Sequence, residues 1–168
     1  ERTSRHDAAL RFRYGDGVMG ELALRLERCG LLRAGKRRVD TIYIGGGTPS
    51  LWPAGHLLGL LPDGAADERV EVTVEANPGD VDPAWFRALV DGGVTRFSIG
   101  VQAVEPARLE LLGRRHTVEQ ALEAIGAARQ AGASSVSGDV IYGTPEQVPD
   151  ELALELQRLV DAGVDHVS

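Results

Sequence analysis

Short runs of β-branched and aromatic residues alternate with amphipathic runs along most of this 168-residue chain. The apolar runs predict strands near residues 41–45, 70–75, 96–101, 135–142 and 164–168. The amphipathic runs predict helices near residues 18–33, 55–61, 83–91, 106–112, 117–131 and 150–162. Successive strands begin about 25–40 residues apart, which is the size of βα units. This alternation predicts an α/β fold built around a parallel sheet.

Capping signals support two of the predicted helices. Asp82 before Pro83 is typical of an N-cap followed by proline in the first turn, and Gly92-Gly93 indicates where that helix ends. Thr117 and Gln120 form a capping-box pattern at the start of a later helix. Both helices are therefore expected to begin close to these residues.

Three predicted strands carry apolar residues on one face only. In residues 70–75 the valines alternate with Glu71, Thr73 and Glu75, and residues 97–102 and 135–142 alternate in the same way. A strand that is covered by helices on both faces is instead nearly continuous in apolar residues. The pattern favours a curved barrel wall with a polar interior over a flat sheet between two helix layers.

Three consecutive glycines, Gly45–Gly47, follow the first predicted strand within the segment IYIGGGTPS at residues 42–50. Glycine allows a sharp turn and brings a ligand close to backbone N–H groups, so this segment predicts a cradle for an anionic or zwitterionic small molecule. It is not a P-loop, because no Lys-Ser/Thr follows, and it lacks the spacing of the dinucleotide fingerprint. A tight turn without a ligand is the alternative interpretation.

The polar face of each later strand ends in a functional group. Glu75, Gln102 and Asp139 lie near the carboxyl ends of their strands, as do the glycines of the first. In parallel βα barrels the ligand site lies at that end. Buried carboxylates need partners, so two of them indicate a ligand with amine or hydroxyl donors. A solvated strand-end residue is the alternative for Glu75 alone.

Basic residues that follow a short predicted helix are further candidates. Arg114 or Arg115 is placed to bind a ligand carboxylate in bidentate fashion, although a solvated pair of charges is the alternative. His116 is interpreted as a loop residue and not as a ligand or a base.

Composition excludes several functions. The net charge of −7 argues against nucleic acid as the main partner, and no apolar run approaches the length of a membrane span. The first residues do not resemble a signal peptide, so a cytoplasmic protein is expected. Cys29 is the single cysteine, which excludes a metal site or an intrachain disulfide built from cysteines of this chain. Its helical spacing from Leu22 and Leu26 predicts that it is buried.

Four segments together resemble the oxygen-independent coproporphyrinogen III oxidase-like family of radical S-adenosylmethionine (SAM) proteins, and most closely its haem-chaperone branch. They are IYIGGGTPSLW (42–52), VTVEANPGDVD (72–82), RFSIGVQAVEPARLELLGRRHT (96–117) and GDVIYGTPEQ (138–147). The resemblance covers about residues 39–168. It implies a partial TIM-type barrel of the radical SAM (β/α)6 kind.

The resemblance also implies which residues bind the cofactor. Gly46, Gly47 and Thr48 match positions that line the methionine moiety of SAM through backbone groups. Glu75 matches a position that binds a polar group of the same cofactor. The family's remaining cofactor-contacting positions match Gln102, Arg114 and Asp139.

The cysteine motif that holds a [4Fe–4S] cluster in this family is absent from the chain. We therefore expect residues 1–168 to form a single partial radical SAM core domain, incomplete at both ends, with the cluster ligands outside this chain. Without those ligands no catalytic residue is assigned, and the chain alone is expected to have no redox activity.

The resemblance implies a haem chaperone or haem-binding protein of porphyrin metabolism. Haem or a porphyrin is then the expected ligand, and a haem-accepting protein a further partner. Two alternatives stay open: an oxidase that decarboxylates coproporphyrinogen III, and a haem carrier without catalytic turnover. A phosphate-binding barrel enzyme is disfavoured, because a phosphate loop is missing and the net charge is negative.

Overall fold

The computed structural model describes residues 8–29, 39–62, 69–145 and 147–168. Its helices are α1 (Ala8–Arg28), α2 (Ala54–Leu58), α3 (Pro83–Asp91), α4 (Pro106–Leu111), α5 (Val118–Ala131) and α6 (Pro149–Ala162). Its strands are β1 (Thr41–Ile44), β2 (Glu71–Ala76), β3 (Arg96–Gln102), β4 (Ser135–Val140) and β5 (His166–Val167). Short 3-10 turns lie at Pro49–Leu51 and Pro78–Asp80.

The five strands form one parallel sheet in the order β1-β2-β3-β4-β5. Parallel crossovers are almost always right-handed, so strands that follow chain order place their connecting helices on one face of the sheet. The other face is then free of crossover helices. This is the arrangement of a barrel wall, as the alternation within the strands predicted.

The apolar core lies between the sheet and its helices. Fully buried strand residues, among them Val74, Phe97 and Ile99, belong to one cluster with Phe86 of α3 and Ile125 of α5. The rings of Phe86 and Phe97 meet edge to face, with 4.9 Å between their centroids. This packing fixes the rigid layer from which the strand ends project.

The opposite face of the sheet is small and polar, and it is also buried. Thr73, Ser98 and Ser137 are respectively 1%, 5% and 0% exposed. Each has a hydroxyl that takes part in a hydrogen bond, which offsets the cost of burying a polar group. The polar face is therefore an ordered surface.

The predicted helix caps are confirmed. The Asp82 side chain accepts a hydrogen bond from the backbone N–H of Trp85 at 2.7 Å, and Gly92 is the C-cap that follows the last residue of α3. Thr117 and Gln120 form both hydrogen bonds of a capping box at the start of α5.

Helix α1 begins earlier than predicted. It starts at Ala8 instead of near residue 18 and ends at Arg28, while residues 30–33 of the predicted span lie outside the described residues. Ring contacts stabilise the extra turns, because Phe12 packs on His56 with 4.5 Å between ring centroids. The predicted burial of Cys29 is wrong: the residue follows the last turn of α1 and is exposed. No described helix has the length and apolar character needed to cross a membrane.

Candidate functional site

The glycine turn after β1 is held by a carboxylate from the neighbouring strand. The backbone N–H of Gly46 donates to Oε2 of Glu75 at 3.2 Å, and Gly46 has a φ of 121° that favours glycine. A Cβ added at Gly45 would lie 2.9 Å from the Glu75 carboxyl carbon and 2.6 Å from a ring carbon of Tyr43. A side chain at position 45 would therefore displace Glu75. Two of the predicted site residues, Gly46 and Glu75, are in direct contact.

The segment that follows these glycines connects the first two strand ends. Thr48 donates its hydroxyl proton to the carbonyl of Gly47 at 2.5 Å. Asn77 lies just after β2. Its backbone N–H donates a hydrogen bond to the buried hydroxyl of Ser50 at 3.0 Å. The glycine turn and the turn after Glu75 are thereby fixed to one another.

Tyr43 also belongs to the candidate site, although the sequence analysis did not predict it. Its phenol donates to Oε1 of Glu75 at 2.7 Å. Tyr43 is 58% exposed, and the partial loss of water around its phenol raises its pKa, as do the hydrogen bond to Glu75 and the negative charge of that carboxylate. A usable sequence signal existed, because Tyr43 lies two residues before Gly45 on an alternating strand.

A continuous polar row crosses the sheet beside Glu75. Glu75 pairs in register with Ser98, Ser98 with Ser137, and Ser137 with His166. The Ser98 hydroxyl lies 3.0 and 2.9 Å from the two carboxylate oxygens of Asp139, and its single proton can serve either of them. This row brings the second predicted carboxylate onto the face that Glu75 occupies.

His166 extends this row to β5 and was not predicted. Its Nδ1 lies 3.1 Å from the hydroxyl of Ser137, which also lies 3.4 Å from Asp139. The side chain of His166 is exposed. Only the cross-strand register reveals the contact, since residues 137 and 166 are far apart in sequence.

Gln102 ends β3 in an unusual conformation. Its φ is 70°, and among the described residues it is the one non-glycine residue with a positive φ. The register between β3 and β4 shifts between Ile99 and Gln102, so the regular alternation stops there. The side chain nevertheless lies over Gly100, because a Cβ at Gly100 would be 2.8 Å from Nε2 of Gln102. Its amide makes no hydrogen bond with the described residues, which leaves it available to a ligand.

Arg114 and His116 both lie in the segment after α4, but Arg114 is exposed and His116 is buried. Arg114 is exposed, and its guanidinium has no partner among the described residues. His116 is 5% exposed, and its Nε2 lies 3.0 Å from the carbonyl oxygen of Val101. His116 therefore lies in a loop, as predicted, and it is in addition buried with a defined hydrogen bond.

The site as a whole presents acceptors and backbone groups around two carboxylates. The face that carries Glu75 and Asp139 is suited to a ligand with positive charge, amine groups or hydroxyl groups. In the part of the chain that the structure describes, no group of three or more His, Cys, Asp or Glu side chains is placed to hold a metal ion.

The chain is similar in sequence to proteins that are already known. The sequence pattern of the Radical SAM superfamily matches residues 14–159. The heme chaperone HemW of Mycobacterium tuberculosis (strain ATCC 25618 / H37Rv) is 42% identical over 135 residues, which are 77% of this chain and 34% of that protein. The oxygen-independent coproporphyrinogen III oxidase of Paracoccus denitrificans (strain Pd 1222) is 34% identical over 136 residues, or 78% and 30% of the two chains. The chain thus spans about a third of the length of these curated relatives.

Solved structures show the same fold. Coproporphyrinogen III oxidase (HemN) from Escherichia coli, described as a radical SAM enzyme, superposes with a TM-score of 0.79 at 28% identity. The match covers 99% of this chain and 37% of that one. The archaeal Elp3 of Methanocaldococcus infernus matches with a TM-score of 0.66 at 20% identity over 95% of this chain and 42% of its own. These structures confirm the predicted α/β fold with a parallel barrel-type sheet, and the sequence matches confirm the predicted family resemblance.

Proposed function

Because this chain belongs to the radical SAM superfamily, we propose that its glycine turn and polar strand ends bind S-adenosylmethionine in the intact protein. The observation that carries the proposal is the contact between Gly46 and Glu75, which joins a backbone cradle to a carboxylate. Asp139 lies on the same face through the row of Ser98 and Ser137. The proposal makes residues 1–168 part of one SAM-binding core domain.

The residues present fit this cofactor. SAM carries a positive sulfonium, an ammonium and ribose hydroxyls, for which Glu75 and Asp139 supply acceptors. A Cβ added at Gly46 or Gly47 would meet no atom of the described residues within 4 Å, so the turn faces open space in that part of the structure. We assign the backbone of Gly46, Gly47 and Thr48 to the methionine moiety.

The other predicted residues complete the assignment. Gln102 offers an amide that makes no hydrogen bond within the described part of the chain, and it is assigned to a polar group of the cofactor. The guanidinium of Arg114 is exposed. It is suited to the carboxylate of the methionine moiety, because a planar guanidinium can donate two parallel hydrogen bonds to a carboxylate.

A [4Fe–4S] cluster does not fit the residues of this chain. Such clusters are held by several cysteine thiolates, and the chain contains one cysteine, the exposed Cys29. We place the cluster ligands elsewhere in the intact protein, where the cluster would supply an electron to the bound cofactor. The residues described in this structure bind and orient the cofactor.

The relatives suggest the wider role of the intact protein. We propose a haem chaperone that binds haem and passes it to a haem-accepting protein, because several curated relatives carry that name. An oxygen-independent coproporphyrinogen III oxidase is the second candidate, which the Paracoccus relative and the Escherichia coli structure favour. The absence of a membrane-spanning helix from the described residues is compatible with the cytoplasmic location that we propose.

Two measurements on the intact protein separate these roles. A haem chaperone binds haem stoichiometrically and transfers it to an acceptor, and it does not convert coproporphyrinogen III. Formation of the decarboxylated porphyrinogen would instead assign the oxidase. Haem transfer without any cleavage of SAM would assign a carrier without turnover.

Calorimetry with SAM on the intact protein tests the binding site. We expect Glu75→Ala and Asp139→Ala each to weaken binding, because a hydrogen bond to a charged group contributes about 1.5–3 kcal/mol. That corresponds to roughly ten- to a hundred-fold in affinity. Glu71→Ala is the matched control, since the exposed Glu71 begins the same strand at its far end. An effect of Glu71→Ala as large as that of Glu75→Ala would contradict the proposed site.

A further inference from the structure

We propose that His116 is a positioning residue, which holds Gln102 in its unusual conformation so that the Gln102 amide faces the cofactor site. This inference rests on the proposed function, because Gln102 matters only if the strand ends bind a ligand. Neither the family resemblance nor the polar face assigns a role to His116.

The backbone at Gln102 forms a tight turn. The N–H of Ala103 donates to the carbonyl of Val101 at 2.9 Å, which closes a three-residue turn around Gln102. With a φ of 70° at its central residue, this is a γ-turn of the rare, strained kind. A residue with a Cβ stays in such a conformation only where its surroundings enforce it.

A hydrogen bond from His116 enforces this turn. Nε2 of His116 lies 3.0 Å from the same Val101 oxygen that closes it. A carbonyl oxygen has two lone pairs and can only accept, so His116 must carry a proton on Nε2 and donate it. Rotation of the Val101–Gln102 peptide would break both hydrogen bonds and leave the buried imidazole of His116 without a partner. His116 therefore stabilises the one peptide orientation that aims Gln102 over Gly100.

His116 also contacts the turn that follows β2. A Cβ added at Gly79, in the turn that follows β2, would lie 3.5 Å from Cβ of His116. The buried histidine thus packs between the turn after Glu75 and the end of β3. It also lies two residues after Arg114, so the segment that presents the guanidinium is fixed at the same point.

A pair of isosteric substitutions tests the donated hydrogen bond. Glutamine and methionine have similar lengths, but only glutamine can donate, so His116→Gln should retain the contact that His116→Met removes. In calorimetry with SAM on the intact protein, we expect His116→Met to weaken binding by about three- to tenfold. His116→Gln should bind within about threefold of the unmodified protein.

A double-variant cycle distinguishes positioning from general destabilisation. Gln102→Gly removes both the side chain and the need to enforce a positive φ, since glycine adopts that conformation freely. In the Gln102→Gly protein, His116→Met should cause no further loss of affinity. Equal losses from His116→Met in both backgrounds would overturn the inference, as would unchanged affinity of His116→Met alone.

Three further outcomes can be distinguished. If His116→Met does not fold, a loss of affinity larger than about threefold in a folded His116→Gln protein overturns the inference. If Gln102→Gly weakens SAM binding and His116→Met does not, only the role of His116 is wrong. If Glu75→Ala and Gln102→Gly both leave the affinity unchanged, the proposed function itself is wrong.

Discussion

The phenolic oxygen of Tyr43 lies 2.7 Å from Oε1 of Glu75, while the backbone N–H of Gly46 donates to Oε2 of the same carboxylate at 3.2 Å. Each oxygen of Glu75 is therefore oriented by a donor from the β1 side of the sheet. A carboxylate has about four acceptor positions, so two remain available to a ligand. Glu75 is thus held in place before any ligand binds, which lowers the ordering cost of binding.

This contact predicts how Tyr43 titrates. Its pKa is raised, first by burial and then by the hydrogen bond to Glu75, so the folded protein favours the protonated phenol. The resulting stabilisation is fully present below the ordinary tyrosine pKa of about 10 and is lost as the pH rises through the higher folded-state pKa. A titration of tyrosinate absorbance should show one late component that disappears in Tyr43→Phe.

Two controls accompany that titration. Tyr142→Phe should leave the late component in place, because the phenol of Tyr142 makes no hydrogen bond to a carboxylate among the described residues, whereas that of Tyr43 does. Glu75→Gln removes the negative charge and should move the late component to lower pH. A late component that persists in Tyr43→Phe would show that another tyrosine is responsible.

Gly45 and Gly126 make a matched pair of glycine substitutions. Gly45→Ala would place a Cβ against the Glu75 carboxylate. We expect SAM binding to weaken roughly tenfold, which corresponds to the loss of about one hydrogen bond to a charged group. Gly126 lies inside α5 with no atom within 4 Å of its Cβ position. Gly126→Ala should stabilise the protein by about 0.5–1 kcal/mol through helix propensity and leave binding unchanged. Calorimetry and urea unfolding of both variants check this, and equal binding by the two would be evidence against the placement of Gly45.

Asp165 predicts a pH dependence of stability at acid pH. Its pKa is lowered, chiefly because Arg129 donates a hydrogen bond to it and also because the backbone N–H of Val136 does. A lowered pKa gives a stabilisation that is present above the unfolded value of about 3.9 and is lost as the pH falls through the folded value. The Asp165 side chain is 46% exposed, so solvent screening limits the contribution to about 0.2–1 kcal/mol.

The measurement is urea unfolding of Asp165→Asn. At neutral pH the variant should be less stable than the unmodified protein, and the difference should shrink as the pH falls through the lowered folded-state pKa of Asp165. Glu123→Gln serves as a control, because Glu123 is exposed on α5 and has no ion-pair partner among the described residues. A difference that is constant from neutral to acid pH would show that charge on Asp165 is not the cause.

Glu155 predicts a large effect on stability away from the cofactor face. It is 2% exposed and accepts hydrogen bonds from the backbone N–H of Val104 at 3.0 Å and from Gln147 at 3.2 Å. Arg108 lies 3.5 Å from the same carboxylate. Glu155→Leu should destabilise the protein by about 3–5 kcal/mol in urea unfolding, because it removes the buried one of the two carboxylates that pair with Arg108 and leaves the N–H of Val104 without its acceptor.

The double variant Arg108→Leu with Glu155→Leu is the informative comparison. It removes both charges and replaces them with apolar side chains, so it should regain much of the stability that Glu155→Leu loses. Simple addition of the two single effects would show that Arg108 and Glu155 are not coupled. Sequence reasoning identified neither residue, because each appears on a helix as an ordinary charged residue.

Several parts of the structure follow from local sequence patterns. Asp82 and Thr117 cap their helices because a side-chain oxygen can reach backbone N–H groups only two or three residues away. The alternation at Thr73 and Glu75 predicts which face is polar, since successive strand residues point to opposite sides. These signals act within a few residues, so they can be interpreted without knowledge of the fold.

Other parts depended on contacts between distant residues. The extra turns of α1 form although Gly15 and Gly17 disfavour a helix, because Phe12 gains a ring contact with His56. The register shift at Gln102 interrupts an alternation that the sequence continues without a break. Tertiary packing overrides local preference at both places.

The sequence by itself determined the order of strands and helices, the polar face, and the strand ends at which Glu75 and Asp139 lie. Only the tertiary structure decided that Tyr43 orients Glu75 and that His116 is buried against Val101. The physical reason is that strand period and helix caps arise from neighbouring residues. A hydrogen bond across the sheet depends instead on register, and register is set by the packing of the whole domain.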